Sequence, residues 1–294
     1  MSSSSAPHFA EYAGALAVFG DFELAEPDFK FLVREVHQRT GIVITDRKRQ
    51  MLRGRLSRRL RALGIDSFRS YCEMLAGPDG PREIGAMINA ITTNMTAFFR
   101  EPHHFEHMHR VALQETRQRA HESCKRRLRV WSAGCSSGEE PYSIAMTLLN
   151  SNLALGAWDA RILATDLDSD MLETAAAGNY MLSDGPDFSE ENRSRFTEPA
   201  GEPGRVTMGL AVRRLIDFRQ LNLLGTWPMR GPFDIVFCRN VMIYFDEPTK
   251  AKLVDRFANI MRPGGFLYIG HSETLSRLTS RFEPAGRTIY RKVS

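Results

Sequence analysis

The segment that most constrains this chain is residues 129–142, RVWSAGCSSGEEPY. An apolar run passes into small residues, a turn bracketed by Gly134 and Gly138, two carboxylates and then a helical pattern. This order is typical of an α/β sheet that binds a nucleotide-like ligand at the carboxyl ends of parallel strands. A second acidic residue, Asp166, ends the next apolar run, ARILATD. We therefore expect a ligand site at the edge where both strands end.

The glycine spacing argues against a dinucleotide. The dinucleotide fingerprint is G-x-G-x-x-G, whereas here Gly134 is followed by Gly138 and no third glycine completes the pattern. Two carboxylates also stand where a pyrophosphate would rest. A ligand without phosphate that offers hydroxyl and ammonium groups fits better, and S-adenosylmethionine is the candidate.

The chain has two regions with different sequence patterns, and these patterns predict its fold class. Residues 23–92 follow a helical pattern, which predicts an all-α N-terminal domain after a disordered tail, 1–22. From residue 128 to 294, short apolar strands alternate with helices, which predicts a doubly wound, Rossmann-like parallel sheet. We interpret 93–127 as a linker helix, and 195–218 as a small β-subdomain inserted in the sheet domain.

Composition excludes several classes of protein. No run of about 18 apolar residues is present, so no membrane span is predicted. The N-terminus, MSSSSAPH, lacks the pattern of a secretory signal. The four cysteines show no C-x-x-C spacing, so neither zinc nor disulfides are expected and a cytoplasmic location is the default. For His103 and His104 we expect a structural or surface role, and no metal site is predicted.

Residues 47–61, RKRQMLRGRLSRRLR, contain eight basic residues and no acidic one. On a helix, Leu52, Leu56, Leu60 and Leu63 form one apolar stripe, and the arginines flank or oppose it. A solvated charged face is one interpretation. Because the run holds no acidic counterpart, a polyanionic partner, either nucleic acid or an acidic protein surface, is the other.

Two further clusters are candidates for the site. In ITTNMTAFFREPHHF, residues 91–105, the side chains of Asn94, Thr96 and Arg100 either line a cleft or serve only a helix start. In FDIVFCRNVMIYFD, residues 233–246, a buried strand ends at Arg239 and Asn240, with Tyr244 one turn later. Tyr244 either meets a transferred methyl group or simply packs. Asn222 and Leu223 end another short strand, and His271 follows the strand FLYIG without an evident carboxylate partner.

These motifs resemble the CheR-type chemotaxis receptor methyltransferases, which methylate glutamate side chains with S-adenosylmethionine. The resemblance extends from about residue 28 to the end of the chain, and it is carried by segments that occur in the family's order. They are GIVITDRKRQMLRGRLSRRLRALG, TTNMTAFFRE, VWSAGCSSGEEPYSIA, ATDLD, FCRNVMIYFD and GHSE.

The resemblance implies roles for individual residues. The cofactor contacts it implies are Asn94, Thr96, Arg100, Glu140, Asp166, Asn222, Leu223, Arg239 and Asn240. Arg100 and Tyr244 correspond to the family's residues near the methyl group. The basic helix corresponds to the surface for the receptor's methylation helix, with Arg53, Arg55, Arg58 and Arg59 as contacts. In some members the β-subdomain docks on a C-terminal receptor peptide.

The activity expected from this resemblance is glutamate methyl ester formation on cytoplasmic methylation helices of chemoreceptors, with S-adenosylhomocysteine as product. Neither nucleic-acid binding nor membrane insertion is expected. Two alternatives remain open at this point. One is a methyltransferase for RNA or a small molecule, which the basic helix permits. The other is a non-catalytic, cofactor-binding interaction module, because fold alone does not decide function.

Overall fold

The computed structural model describes residues 22–78, 80–151, 153, 155–181, 189–276 and 278–293. The chain divides into two compact units. The first contains the described residues up to Thr92 except Thr40–Ile42, and the second contains Thr40–Ile42 and the residues from Thr93 onward. No helix within the described ranges is both long and apolar enough to cross a membrane.

The first unit is helical, as predicted. Its helices are α1 (Glu26–Thr40), α2 (Arg49–Leu63), α3 (Phe68–Ala76) and α4 (Gly80–Ile91). A short 3-10 turn precedes α2, and Gly64 ends α2 in the left-handed conformation at φ 69°. Ser67 begins α3 by accepting a hydrogen bond from the N–H of Ser70 at 3.1 Å. Most of the predicted tail lies outside the described residues, although Phe22 is buried.

The second unit is built on a sheet that alternates with helices. Its helices are α5 (His103–His107), α6 (Leu113–Ser123), α7 (Glu139–Leu149), α8 (Ser169–Ala177), α9 (Glu190–Phe196), α10 (Leu210–Arg213) and α11 (Glu247–Ile260). Its strands are β1 (Arg127–Ala133), β2 (Asp159–Asp166), β3 (Asn179–Met181), β4 (Thr197–Pro199), β5 (Arg205–Met208), β6 (Ile216–Gln220), β7 (Phe233–Cys238), β8 (Met261–Ile269), β9 (Phe282–Gly286) and β10 (Ile289–Lys292).

The order of strands in the main sheet sets the position of the site. Within the described residues the sheet has seven strands in the order β6-β2-β1-β7-β8-β10-β9. The first five are parallel, and β10 and β9 pair antiparallel at the other edge. The chain leaves β1 toward β2 and later returns to its other side with β7. In such a sheet, a crevice opens between β1 and β7 at their carboxyl ends.

Apolar side chains on both faces of the sheet form the core. Val130 packs in the cluster on one face and Trp131 in the cluster on the other, because successive strand side chains point to opposite faces. All six residues of β7 are buried, which is typical of a central parallel strand covered by helices on both sides.

Two predicted boundaries differ from the structure. The segment predicted as a linker, 93–127, belongs to the second unit, because Phe98, Phe105, Met108 and Leu113 are buried in the core of the sheet domain. Each such side chain contributes about 2 kcal/mol when removed from water. The small sheet has the order β3-β5-β4, so it begins before residue 195, and β6 pairs with β2 in the main sheet instead.

Candidate active site

The turn between β1 and α7 follows the predicted strand–turn–helix path. Gly134 and Gly138 have φ of 93° and 102°, and a side chain would also collide at each. A Cβ on Gly134 would lie 2.4 Å from Val241, and one on Gly138 would lie 2.7 Å from the hydroxyl of Tyr180. Glycine is therefore required at both positions by conformation and by space.

Asp166 stands at the end of β2 beside this turn. Its Oδ2 accepts a hydrogen bond from the N–H of Ser136 at 2.7 Å, and its Oδ1 accepts one from the N–H of Asp168 at 3.0 Å. Burial raises the pKa of Asp166, and the two backbone donors act against that shift. The N–H of Leu221 donates to the carbonyl of Asp166 at 2.9 Å, which brings the segment after β6 to the same edge.

Glu140 lies in the first turn of α7 and is buried. The hydroxyl of Ser132 donates to its Oε1 at 2.6 Å, and Nη1 of Arg239 donates to its Oε2 at 3.2 Å. Burial raises the pKa of Glu140, while Arg239 and the Ser132 hydroxyl oppose the rise. Two carboxylates, Asp166 and Glu140, therefore stand at the carboxyl ends of neighbouring parallel strands.

Arg239 is predicted as a cofactor contact, and its side chain is engaged with protein groups. It is only 2% exposed. Besides its bond to Glu140, its Nη2 donates to the carbonyl of Arg100 and lies 3.5 Å from Oε2 of Glu101. Its neighbour Asn240 adopts a left-handed φ of 59°.

The segment before α5 reaches the same edge. Nδ2 of Asn94 donates to Oδ2 of Asp168 at 2.8 Å, and the carbonyl of Asn94 accepts the hydroxyl of Ser136 at 3.0 Å. Arg100 is half-buried, and its Nη1 donates to the carbonyl of Met95 at 2.8 Å. Thr96, which lies between these two residues in the sequence, is also half-buried. Asn94 thus lies beside the Asp166 turn.

The remaining predicted positions follow β6 and β7. Oδ1 of Asn222 accepts the N–H of Leu224 at 2.9 Å. Leu223 is buried, and its carbonyl accepts Nε1 of Trp227 at 3.0 Å. Tyr244 is half-buried in a 3-10 turn, Met242–Tyr244, that follows Asn240.

Sequence reasoning missed Glu273, which organises the loop after β7. Its carboxylate accepts the N–H of Gly270 at 2.6 Å, of Asn240 at 3.1 Å and of Ile243 at 3.2 Å. Burial raises the pKa of Glu273, and these donors oppose the shift. The motif GHSE contains the residue, but its role depends on a loop that is distant in sequence.

His271, for which the sequence shows no evident carboxylate partner, lies beside Glu101. Its Nδ1 and its backbone N each lie 3.2 Å from Oε1 of Glu101. The two residues are 170 positions apart in the sequence, so the local pattern of residues does not reveal the contact.

Ligand atoms of Glu101, His103 and His104 lie within 4.8 Å of one another. Protein groups already engage them, however. Nε2 of His104 is 2.9 Å from the hydroxyl of Thr288, Nε2 of His103 is 3.1 Å from the carbonyl of Arg287, and the guanidinium of Arg239 stands beside Glu101. Burial, with the Arg239 charge second, lowers the pKa of His104 to about 2. This arrangement favours a structural role for both histidines.

Comparison with known proteins identifies the family. Residues 27–92 match the model of the CheR methyltransferase all-alpha domain, and residues 94–291 match the CheR methyltransferase SAM-binding domain. The chain belongs to the CheR methyltransferase family. It therefore carries the SAM-binding domain of that family, and the predicted resemblance and fold class are confirmed.

Several relatives are similar to this chain over most of their length. A probable chemotaxis protein methyltransferase of Rhizobium etli is 43% identical over 87% of this chain and 96% of that protein. The chemotaxis protein methyltransferase of Salmonella typhimurium is 42% identical over 91% of this chain and 90% of its own. That of Escherichia coli is 41% identical over 91% of each chain.

Helix α2 of the CheR all-alpha domain has the predicted two faces. Leu52, Leu56 and Leu60 are buried, whereas Leu63 is 38% exposed and lies outside the buried stripe. Arg58 is exposed, and Arg53 is half-buried.

The expectation that the basic charge of α2 is uncompensated holds only in part, because Arg59 pairs with an acidic residue of another helix. Arg59 donates from Nε and Nη2 to the two oxygens of Glu83 at 2.7 and 2.6 Å, and Arg55 donates to the carbonyls of Ile91 and Thr92. The acidic partner comes from α4, so the run itself did not reveal it. Two of the four predicted receptor contacts, Arg55 and Arg59, thus hold the helical unit together.

Proposed function

We propose that this chain is an S-adenosylmethionine-dependent protein-glutamate O-methyltransferase that acts in the cytoplasm on the methylation helices of chemoreceptors. The observation that carries the proposal is the pair of carboxylates, half-buried Asp166 and buried Glu140, at neighbouring strand ends of a CheR-family SAM-binding domain. The relatives are chemotaxis protein methyltransferases, which supplies the class of substrate.

The donor set fits the cofactor chemically. Each oxygen of Asp166 accepts one backbone N–H, and a carboxylate oxygen has a second lone pair to accept a ribose hydroxyl. Glu140 accepts one hydroxyl and one guanidinium N–H, and its negative charge suits the ammonium group of the cofactor. A site with these carboxylates and without the dinucleotide glycine pattern suits an adenosyl amino acid better than a pyrophosphate.

We assign the other predicted contacts by position. Asn94 lies beside the Asp166 turn, and Thr96 follows it by two residues. Asn222 and Leu223 come directly after Leu221, whose N–H donates to the carbonyl of Asp166. Asn240 follows β7 at the opposite side of the crevice. We assign Arg239 to holding Glu140.

The reaction needs no general base. When bound, S-adenosylmethionine supplies a methyl group on a sulfonium centre: a carboxylate oxygen forms the new O–C bond, the C–S bond breaks, and its electron pair stays on sulfur. An ordinary glutamate has a pKa of about 4.3, so it is already ionised at neutral pH. The protein's task is therefore alignment and exclusion of water, and alignment contributes several kcal/mol in such reactions.

Arg100 and Tyr244 are the residues that we propose next to the transferred methyl. The cationic side chain of Arg100 is half-buried, which suits it to positioning a carboxylate. Binding the substrate carboxylate too strongly would stabilise the ground state and slow the reaction, so we assign Arg100 to positioning. We propose that the hydroxyl of Tyr244 orients the incoming carboxylate.

We propose two receptor contacts. The exposed side chain of Arg58, together with Arg53 on the same helix, offers positive charge to an acidic methylation helix. In the small sheet, whose described order is β3-β5-β4, β4 lies at an edge. An edge strand pairs with an extended peptide through backbone hydrogen bonds, which suits a C-terminal receptor peptide.

The experiment is methyl transfer from labelled S-adenosylmethionine to a cytoplasmic receptor fragment. We expect label that alkali releases as methanol, because a glutamate methyl ester hydrolyses in base. A fragment with its methylation-site glutamates changed to glutamine is the matched control and should take up no label. Alkali-stable label, or label in added RNA instead, would overturn the proposal.

A further inference from the structure

Glu101 adopts a backbone conformation that an L-residue with a long side chain rarely takes. Its φ is 58°, and Phe99, two residues earlier, has a φ of 51°. Left-handed non-glycine residues cost about 1 kcal/mol or more and cluster at functional sites. The turn thus maintains a strained conformation that places the Glu101 carboxylate inside the domain, where its side chain is only 11% exposed.

The two oxygens of Glu101 have different surroundings. Oε1 accepts the backbone N–H of His271 at 3.2 Å and faces the imidazole of that residue. Oε2 lies 3.5 Å from Nη2 of Arg239 and 3.5 Å from Nδ1 of His104. Among the described residues, Oε2 has no hydrogen-bond partner. At that separation Glu101 acts on Arg239 by its charge, because a hydrogen bond requires a shorter distance.

Arg239 therefore stands between two carboxylates. Its Nη1 bonds to Glu140 at 3.2 Å, and its Nη2 faces Glu101 at 3.5 Å. The charge of Arg100 also acts on Glu140, but the Nη1 of Arg100 donates to the carbonyl of Met95. The single guanidinium of Arg239 cannot neutralise both Glu140 and Glu101. Opposite charges attract strongly where water is scarce. A cation that reaches Glu140 thus meets a carboxylate whose charge is only partly neutralised.

We infer that Glu101 is a positioning residue that shares Arg239 with Glu140 and so preserves the negative charge that Glu140 presents to the ammonium group of the cofactor. The inference rests on the proposed function, in which Glu140 faces that group. Without the Glu101 charge, Arg239 neutralises Glu140 alone, and the attraction for the ammonium falls.

Two ligands separate this role from general support of the fold. S-Adenosylhomocysteine carries the ammonium group, whereas methylthioadenosine retains the adenosine and the thioether but lacks the amino acid portion. A variant that only loosens the pocket weakens the binding of both ligands. A variant that alters the charge facing the ammonium group weakens the binding of S-adenosylhomocysteine and leaves that of methylthioadenosine unchanged.

The variants are matched for charge. Glu101→Asn and Glu101→Asp have side chains of the same length, both residue types tolerate a left-handed φ, and only the aspartate keeps the charge. Glu101→Gln removes the charge at full length. Glu106→Gln alters an exposed glutamate of α5 as a control. Affinities are measured by calorimetry at about pH 8, where ordinary carboxyl groups are ionised, and circular dichroism checks the fold.

We expect Glu101→Asn and Glu101→Gln to weaken the affinity for S-adenosylhomocysteine about tenfold, a change of about 1.4 kcal/mol. The affinity for methylthioadenosine should change less than about twofold. Glu101→Asp and Glu106→Gln should remain near wild type. Equal losses for both ligands, or no loss for either, would overturn the inference. Glu140→Gln separates the two levels. If Glu140→Gln weakens both ligands equally, the proposed role of Glu140 fails. If Glu140→Gln selectively weakens S-adenosylhomocysteine binding and Glu101→Gln does not, only the inference about Glu101 fails.

Discussion

The arginines of α2 divide into those that hold the fold and those that face outward, and a matched pair of substitutions tests this division. Arg58 and Arg59 are adjacent in sequence, yet Arg58 is exposed while Arg59 makes two hydrogen bonds to Glu83. Glu83 also accepts the hydroxyl of the fully buried Tyr71 at 2.8 Å. Arg59→Ala removes the cation from this network, whereas Arg58→Ala removes only a surface charge.

The magnitude follows from burial. Removing one partner of a buried ion pair costs about 3–5 kcal/mol, because the other charge stays buried without compensation. The Glu83 side chain is 8% exposed and that of Arg59 is 32% exposed, so water reaches the arginine side and the lower end applies, about 3 kcal/mol. A surface substitution away from such a network changes stability by less than about 0.5 kcal/mol.

The positions of the tryptophans allow the two units to be followed separately. All three, Trp131, Trp158 and Trp227, lie in the second unit. In urea, far-UV circular dichroism reports both units and tryptophan fluorescence reports the second. We expect that in Arg59→Ala part of the far-UV ellipticity is lost at a lower urea concentration than in the wild type. The midpoint of the fluorescence transition should stay at its wild-type value.

Arg58→Ala is the control and should leave both transitions unchanged. If Arg59→Ala and Arg58→Ala unfold at the same urea concentration, the Arg59–Glu83 pair does not stabilise the helical unit and the reasoning from burial is refuted. The same pair separates docking from folding, because Arg58→Glu should slow receptor methylation while S-adenosylhomocysteine affinity stays unchanged.

Three further predictions concern the cofactor site. Asp166→Ala should abolish measurable S-adenosylhomocysteine binding in calorimetry, since the ribose hydroxyls lose the carboxylate that accepts their hydrogen bonds. Near-normal affinity contradicts that assignment. Tyr244→Phe should lower kcat and leave cofactor affinity intact, and an unchanged rate removes the hydroxyl from the mechanism. Burial raises the pKa of Glu140, so this carboxylate protonates at higher pH than an ordinary glutamate. S-Adenosylhomocysteine affinity should therefore fall as pH drops from neutrality through that raised pKa, and Glu140→Gln should flatten this dependence; an equally steep profile in the variant assigns the titration to another group.

The sequence by itself determined the elements and the edge that carries the site. Alternation of apolar strands with helices predicted the parallel sheet, and both Asp166 and Glu140 were predicted near the carboxyl ends of its strands. These inferences succeed because strand and helix periodicities are local, and because parallel strands bring their carboxyl ends to one edge of a sheet.

Only the tertiary structure decided which charges pair. Arg59 meets Glu83 from another helix, and His271 meets Glu101 from a distant loop; neither pairing leaves a trace in the local pattern of residues. The structure likewise placed β6 in the main sheet, and it packed side chains of the segment 93–127, such as Phe98 and Leu113, into the core of the sheet domain. Ion pairs and packing depend on distances in space between residues far apart in the chain, and periodicity reports only neighbours along it.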